Sequence, residues 1–184
     1  MIGAGCSHWH GLSGPLETGA TRAEDFCIAT VFLNGESIAQ VHTAEKLEIA
    51  LEVQAVNANG KARMLVTAST KTSPGKAIIA TAIALDDLGP NEFLFFSWSD
   101  KDGKYAGEND FFPKPYKAYD VAEPELKANW SGSDNDPVLT LTTDKPALFV
   151  TATVDMPGYF SDNALTLLPG RDVKLSFTPR LGRR

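Results

Sequence analysis

Nucleophilic or general acid–base chemistry needs a nucleophile and a base that the fold can bring together. The chain offers three histidines, two cysteines and 23 acidic residues for such a site. Cys6, His8 and His10 cluster near the start, and an extended segment would set His8 and His10 on one side. No fourth ligand or carboxylate stands near them, and the spacing is not that of structural zinc. His42 lies in or beside a strand-like run with no motif around it. There is no Gly-x-Ser-x-Gly elbow and no glycine-rich phosphate loop. Ser131-Gly132-Ser133-Asp134-Asn135-Asp136 has the composition of a calcium loop but lacks the spacing and terminal Glu of an EF-hand, so it reads as a polar hairpin loop. Asp162 is the most conspicuous carboxylate. It falls in the turn signature Ser161-Asp162-Asn163, where its oxygens would cap backbone amides. The residues therefore assign no catalytic group, no cofactor and no metal.

Composition narrows the classes further. Net charge is −6 and the pI is near 5.0, which gives no surface for a phosphate backbone and argues against nucleic acid. The basic end from Arg180 to Arg184 is too short to alter this and reads as a solvated tail. No apolar run approaches the ~20 residues of a membrane span. Met1 to His10 lacks the basic start and the apolar stretch of about 7–15 residues of a secretory signal. Either a cytoplasmic chain or a piece of a longer protein would fit, and the compartment stays open. Two cysteines make no disulfide framework. Cys27 reads as a small buried residue, with a Cys6–Cys27 bridge as the lesser alternative.

The elements that would have to position any site read as strands. Residues 1–25 are rich in Gly, Ser and Thr and read as an unstructured lead-in. Phe26 to Leu33 is apolar on both faces and ends at Asn34-Gly35, a strong hairpin signal, with Ile38 to Thr43 as the return. Leu47, Ile49, Leu51, Val53 and Ala55 alternate with Lys46, Glu48, Ala50, Glu52 and Gln54, the period of two of a half-buried strand. Arg63–Thr70 and Ala77–Leu85 follow as strands. Asp86 to Pro90 is a loop with room for one helical turn. Phe93–Trp98 places Phe93 and Phe95 on one face and Leu94, Phe96 and Trp98 on the other, so it must be covered on both sides. After Tyr105–Phe112, the prolines 113, 115 and 124 predict an extended linker over 113–124. The remaining strands are expected at Leu126–Trp130, Val138–Thr143, Ala147–Asp155, Ala164–Leu168 and Val173–Thr178. Short strands with turn signals between them predict an all-β fold, two immunoglobulin-like antiparallel β-sandwich domains in tandem. The first spans 26–112, complete or truncated, and the second 125–180.

Two stretches carry a family resemblance. Phe160-Ser161-Asp162-Asn163, then Leu167-Leu168-Pro169-Gly170 and a short alternating strand at the end, resembles the final β-sandwich of β-mannosidases of glycoside hydrolase family 2. Glu92-Phe93-Leu94-Phe95-Phe96-Ser97-Trp98, the Asp102-Gly103 turn, Glu108-Asn109-Asp110-Phe111-Phe112-Pro113 and Tyr116-Lys117 are similar to the junction of the two C-terminal domains of these enzymes. The resemblance covers roughly residues 60 to 180. It implies removal of terminal β-linked mannose with retention, by two glutamates on a (β/α)₈ barrel. Such a barrel needs ~250 residues, more than the whole of this chain, and no residue here matches those positions.

The expectation is a non-catalytic accessory region, a fragment or truncated product, whose partner is the catalytic barrel missing from the chain. Phe93, Phe95, Phe96, Trp98, Phe111, Phe112 and Tyr116 are the candidates for cores, interdomain packing or a sugar platform. Gly158, Phe160, Ser161, Asp162 and Asn163 are the structural corner. The alternatives are a carbohydrate-binding module, with an oligosaccharide stacked on Trp98, Trp130, Tyr116 or Tyr159, and a free-standing adhesion or interaction sandwich.

Overall fold

The computed structural model describes residues 4–6, 26–33, 36–43, 46–103, 106–134 and 136–180. Among them there are fourteen strands and no α-helix, and the strand pairings are antiparallel. The fold of the described residues is all-β. The chain divides into two units, with the main change at Asp120–Val121 and with Ala58–Gly60 assigned to the second.

The first unit holds β1 (Ala4–Cys6), β2 (Phe26–Leu33), β3 (Glu36–Thr43), β4 (Glu48–Asn57), β5 (Ala62–Lys71), β6 (Ala77–Ala84), β7 (Glu92–Asp100) and β8 (Ala106–Phe111). They form two four-stranded sheets, ordered β1-β2-β3-β6 and β5-β4-β7-β8. The β2–β3 register closes with Leu33 opposite Glu36; Asn34-Gly35, the expected turn, lies outside the described residues. Alternation along β4 does what the period of two requires. Ile49, Leu51 and Val53 are fully buried while Glu48, Ala50 and Glu52 are exposed. Across the ladder Leu51 faces Trp98, Val53 faces Phe96 and Ala55 faces Leu94, so these side chains share one side of the sheet. Ile83, from the other sheet, completes the cluster.

The far side of β7 is also apolar and closed: Phe93 and Phe95 are buried there. Two elements differ from expectation. Ala4–Cys6 pairs with β2 as a three-residue strand, inside the segment read as lead-in. Tyr116–Ala118 is a 3₁₀ turn where the prolines predict extended backbone. The reason is aromatic: Tyr116 packs tilted and Tyr119 edge-on against Phe112, which draws this stretch into the first unit. A second 3₁₀ turn, Leu85–Asp87, occupies the loop before β7.

The second unit holds β9 (Leu126–Ser133), β10 (Asp136–Thr143), β11 (Ala147–Val150), β12 (Gly158–Phe160), β13 (Leu165–Leu167) and β14 (Val173–Pro179). A four-stranded sheet, β12-β14-β10-β9, faces a two-stranded one, β11-β13. Leu139, Leu141, Ala147, Leu167 and Leu175 form the core between them. β11 stops at Val150 rather than running to Asp155. Its register shifts between Ala147 and Val150, and Phe149 adopts φ 57°, a left-handed conformation that ends regular pairing. The stretch read as a corner contains a further strand, β12, with Gly158 opposite Pro179 and Phe160 opposite Phe177.

Candidate functional site

The aromatic residues singled out from the sequence separate into two groups on the two sides of one sheet. Leu94, Phe96 and Trp98 face the sandwich core, with Phe111 packed beside them. Phe111 lies opposite Leu94 in the ladder and so shares its face. Phe112, one residue on, turns to the other side. There its ring stacks on Phe93 with centroids 4.3 Å apart. Tyr119 meets both edge-on, at 6.4 Å from Phe93 and 5.1 Å from Phe112. Tyr116 sits 4.6 Å from Phe112 and is 46% exposed. Burial pushes the Tyr116 hydroxyl pKa up, with the Asp110 charge adding to it. Burial also raises that of Tyr119, partly offset because its oxygen accepts the Lys114 N–H at 3.3 Å.

Stacking by a sugar needs an open ring face. Phe93, Phe95, Phe96 and Trp98 are all at or below 5% exposure and present none, which takes Trp98 out of the platform reading. Tyr116, Trp130 and Tyr159 remain exposed. Trp130 rests against Phe160 at 6.0 Å and meets Phe177 edge-on at 6.4 Å.

The corner after β12 is held by its own polar side chains. Ser161 N–H donates to the Ser176 carbonyl at 2.8 Å, and Ser176 N–H returns to Ser161 Oγ at 3.1 Å. Asp162 Oδ1 accepts the Asn163 N–H at 2.7 Å. Asn163 Oδ1 accepts two amides, Ala152 at 3.0 Å and Ala164 at 3.2 Å. That brace fastens the chain leaving β11 to the start of β13. The positive φ of the corner falls on Ala164, at 57°, rather than on Asn163. Gly158 is not a turn residue. It is the first residue of β12, and a Cβ there would lie 2.7 Å from Cε2 of Phe177.

Sequence reading missed one charged group of the first unit. Arg63 on β5 forks onto Glu92, Nη2 to Oε2 at 2.6 Å and Nε to Oε1 at 3.1 Å, while Nη2 also donates to the Asp87 carbonyl at 2.6 Å. Glu92 Oε2 further accepts the Gly89 N–H at 2.9 Å. The Arg63 guanidinium holds the Glu92 carboxyl below the usual carboxylate range, against the opposing effect of burial. The pair ties β5 and the 3₁₀ turn Leu85–Asp87 to the start of β7. No local signal could have found it, since the partners are 29 residues apart.

Residues 121–183 match the Ig_mannosidase model, an Ig-fold domain. That match covers about a third of the chain and falls within the second unit, which is thus similar to an Ig-fold domain. No curated protein matches the sequence. Among solved structures, a β-D-mannosidase from Dictyoglomus thermophilum is similar over 85% of this chain and 20% of its own, with TM-score 0.75 and 17% identity. An exo-chitosanase from Amycolatopsis orientalis is similar over 84% of this chain and 23% of its own, with TM-score 0.56 and 17% identity. At these identities the likeness is one of fold. This chain spans about a fifth of the length of those two chains.

Among the described residues there is no group of three or more His, Cys, Asp or Glu side chains placed to hold a metal ion. Of the segment read as a polar hairpin loop, Ser131–Ser133 ends β9 and Asp136 opens β10, with Ser133 opposite Asp136 across the ladder. His8, His10, the side chains of Cys6 and Cys27 with their bridge, and the basic tail beyond Arg180 lie outside the described residues.

Proposed function

We propose that the chain is a non-catalytic accessory region of a retaining β-mannosidase-like glycoside hydrolase, and that it braces a catalytic barrel encoded outside this sequence. The match of the second unit to the Ig-fold domain family carries the reading. The likeness of most of the chain to about a fifth of a β-D-mannosidase supports it. The barrel would contribute both glutamates; this chain would contribute rigid apolar surface and no reacting group. The test is turnover of an aryl β-mannoside by the purified chain, expected at the level of a protein-free blank. Hydrolysis above the blank that scales with chain concentration overturns the proposal. The bracing role is tested separately, by expressing a β-mannosidase barrel that lacks its own C-terminal sandwiches with and without this chain. A higher yield of soluble barrel and a raised melting temperature are expected with it.

A second reading, a sugar-binding module, is favoured by one observation: Trp130 is 52% exposed and one side of its ring is backed by Phe160. Calorimetric titration with manno-oligosaccharides separates the two readings. The accessory role expects no heat of binding and no shift in melting temperature.

A further inference from the structure

β9 ends its sheet in the order β12-β14-β10-β9, and all eight of its residues are exposed. Its inward side is apolar all the same. Leu126, Ala128 and Trp130 stand opposite Thr143, Leu141 and Leu139 of β10, and those three partners are buried. One ladder is thus covered on β10 and exposed on β9, where Phe160 and Phe177 reach only Trp130 and leave it 52% exposed. An unpaired strand edge is a template for another strand, and an exposed apolar face beside it adds a reason to pair.

We propose that β9 pairs antiparallel with β9 of a second copy of this chain, about a two-fold axis normal to the sheet at Ala128. Directly opposed residues share a face of a sheet, so a two-fold that keeps both apolar sides together must pass through a residue and not between two. Centring it on Lys127 would oppose two lysines, which is unfavourable. Centring it on Asn129 would set Leu126 against Gly132, and centring it on Trp130 would set Leu126 against Asp134. Centred on Ala128, Leu126 of each copy meets Trp130 of the other, twice, on the inner face. On the outer face Lys127 meets Asn129 and Glu125 meets Ser131, so no like charges are opposed. The patch is self-complementary, as an isologous contact requires. A single strand pair with two apolar contacts falls short of the ~1,000 Å² of a stable interface. The dimer is therefore weak and depends on concentration.

Sedimentation velocity on the full chain across a concentration series tests this. A monomer–dimer equilibrium is expected. Ala128→Lys and Ala128→Glu, which oppose like charges at the axis, should each weaken self-association about tenfold or more. Mixing the two variants in equal amounts should restore it, because Lys then faces Glu. Ala128 is exposed, so both variants should keep the melting temperature of the parent at low concentration, which separates lost pairing from lost fold. A parent chain that stays monomeric at every concentration would mean that the β9 edge serves some other strand, and would overturn the proposal. So would a dimer that persists in both variants, or a mixture that fails to recover it.

Discussion

Gly107 shows how far a single residue can be read from physics. It lies opposite Trp98 in the β7–β8 ladder, and the indole lies over it. A Cβ at this position would sit 2.9 Å from Cε2 of the ring, closer than side-chain contacts allow. Gly107→Ala should therefore cost about 1–3 kcal/mol through overpacking, measured as a lower denaturant midpoint at unchanged m-value. Gly158 beneath Phe177 belongs to the same class. Asn163→Ala removes the acceptor of two backbone amides and should cost about 1 kcal/mol, by the same measurement. Glu92 adds a dependence on pH. Its folded pKa is lowered, so its stabilising effect is present above the ordinary carboxylate range and is lost as pH falls through the folded value. The stability difference between the parent and Glu92→Gln should be full at neutral pH and should vanish in strong acid, followed by thermal melts over an acid pH series.

At the scale of elements, β7 organises the first unit because it must be buried on both sides. Phe96 is fully buried in the sandwich core, and Phe96→Ala should cost about 3–5 kcal/mol in a denaturant titration. This strand and its two faces were legible in the sequence. An unbroken apolar run admits no exposed side, and β4 beside it announced itself by strict alternation. What was not legible had physical reasons as well. β12 is three residues long and opens with a glycine, so its composition is that of a turn; only the Phe177 ring above Gly158 explains the residue. β11 reads as continuous through Asp155 on its run of strand-like residues, but the left-handed backbone at Phe149 and the shifted register break it. Tyr119 follows the linker prolines Pro113 and Pro115, and nothing local indicates that its ring meets Phe93 edge-on. The corner side chains were recognisable because Ser, Asp and Asn bond to nearby backbone, a short-range property that sequence carries directly.

At the scale of the whole molecule, each unit has its own core, one built on Ile49, Leu51, Val53, Leu94, Phe96 and Trp98, the other on Leu139, Leu141, Leu167 and Leu175. Leu175, 1% exposed in the second, is the counterpart of Phe96 in the first. Leu175→Ala should cost the second unit about 2–5 kcal/mol. The fold class and the accessory reading rested on patterns that span the chain, and the family match of residues 121–183 agrees with the motif at Phe160–Asn163 that first suggested it.

The contrast between two indoles gives the chain a built-in optical readout. Trp98 is 5% exposed in the first unit and Trp130 is 52% exposed in the second. A sequestered indole emits toward the blue and a hydrated one toward the red. With Trp9→Phe removing the remaining fluorophore, the blue edge of the spectrum would report on melting of one sandwich and the red edge on that of the other, within a single heating scan.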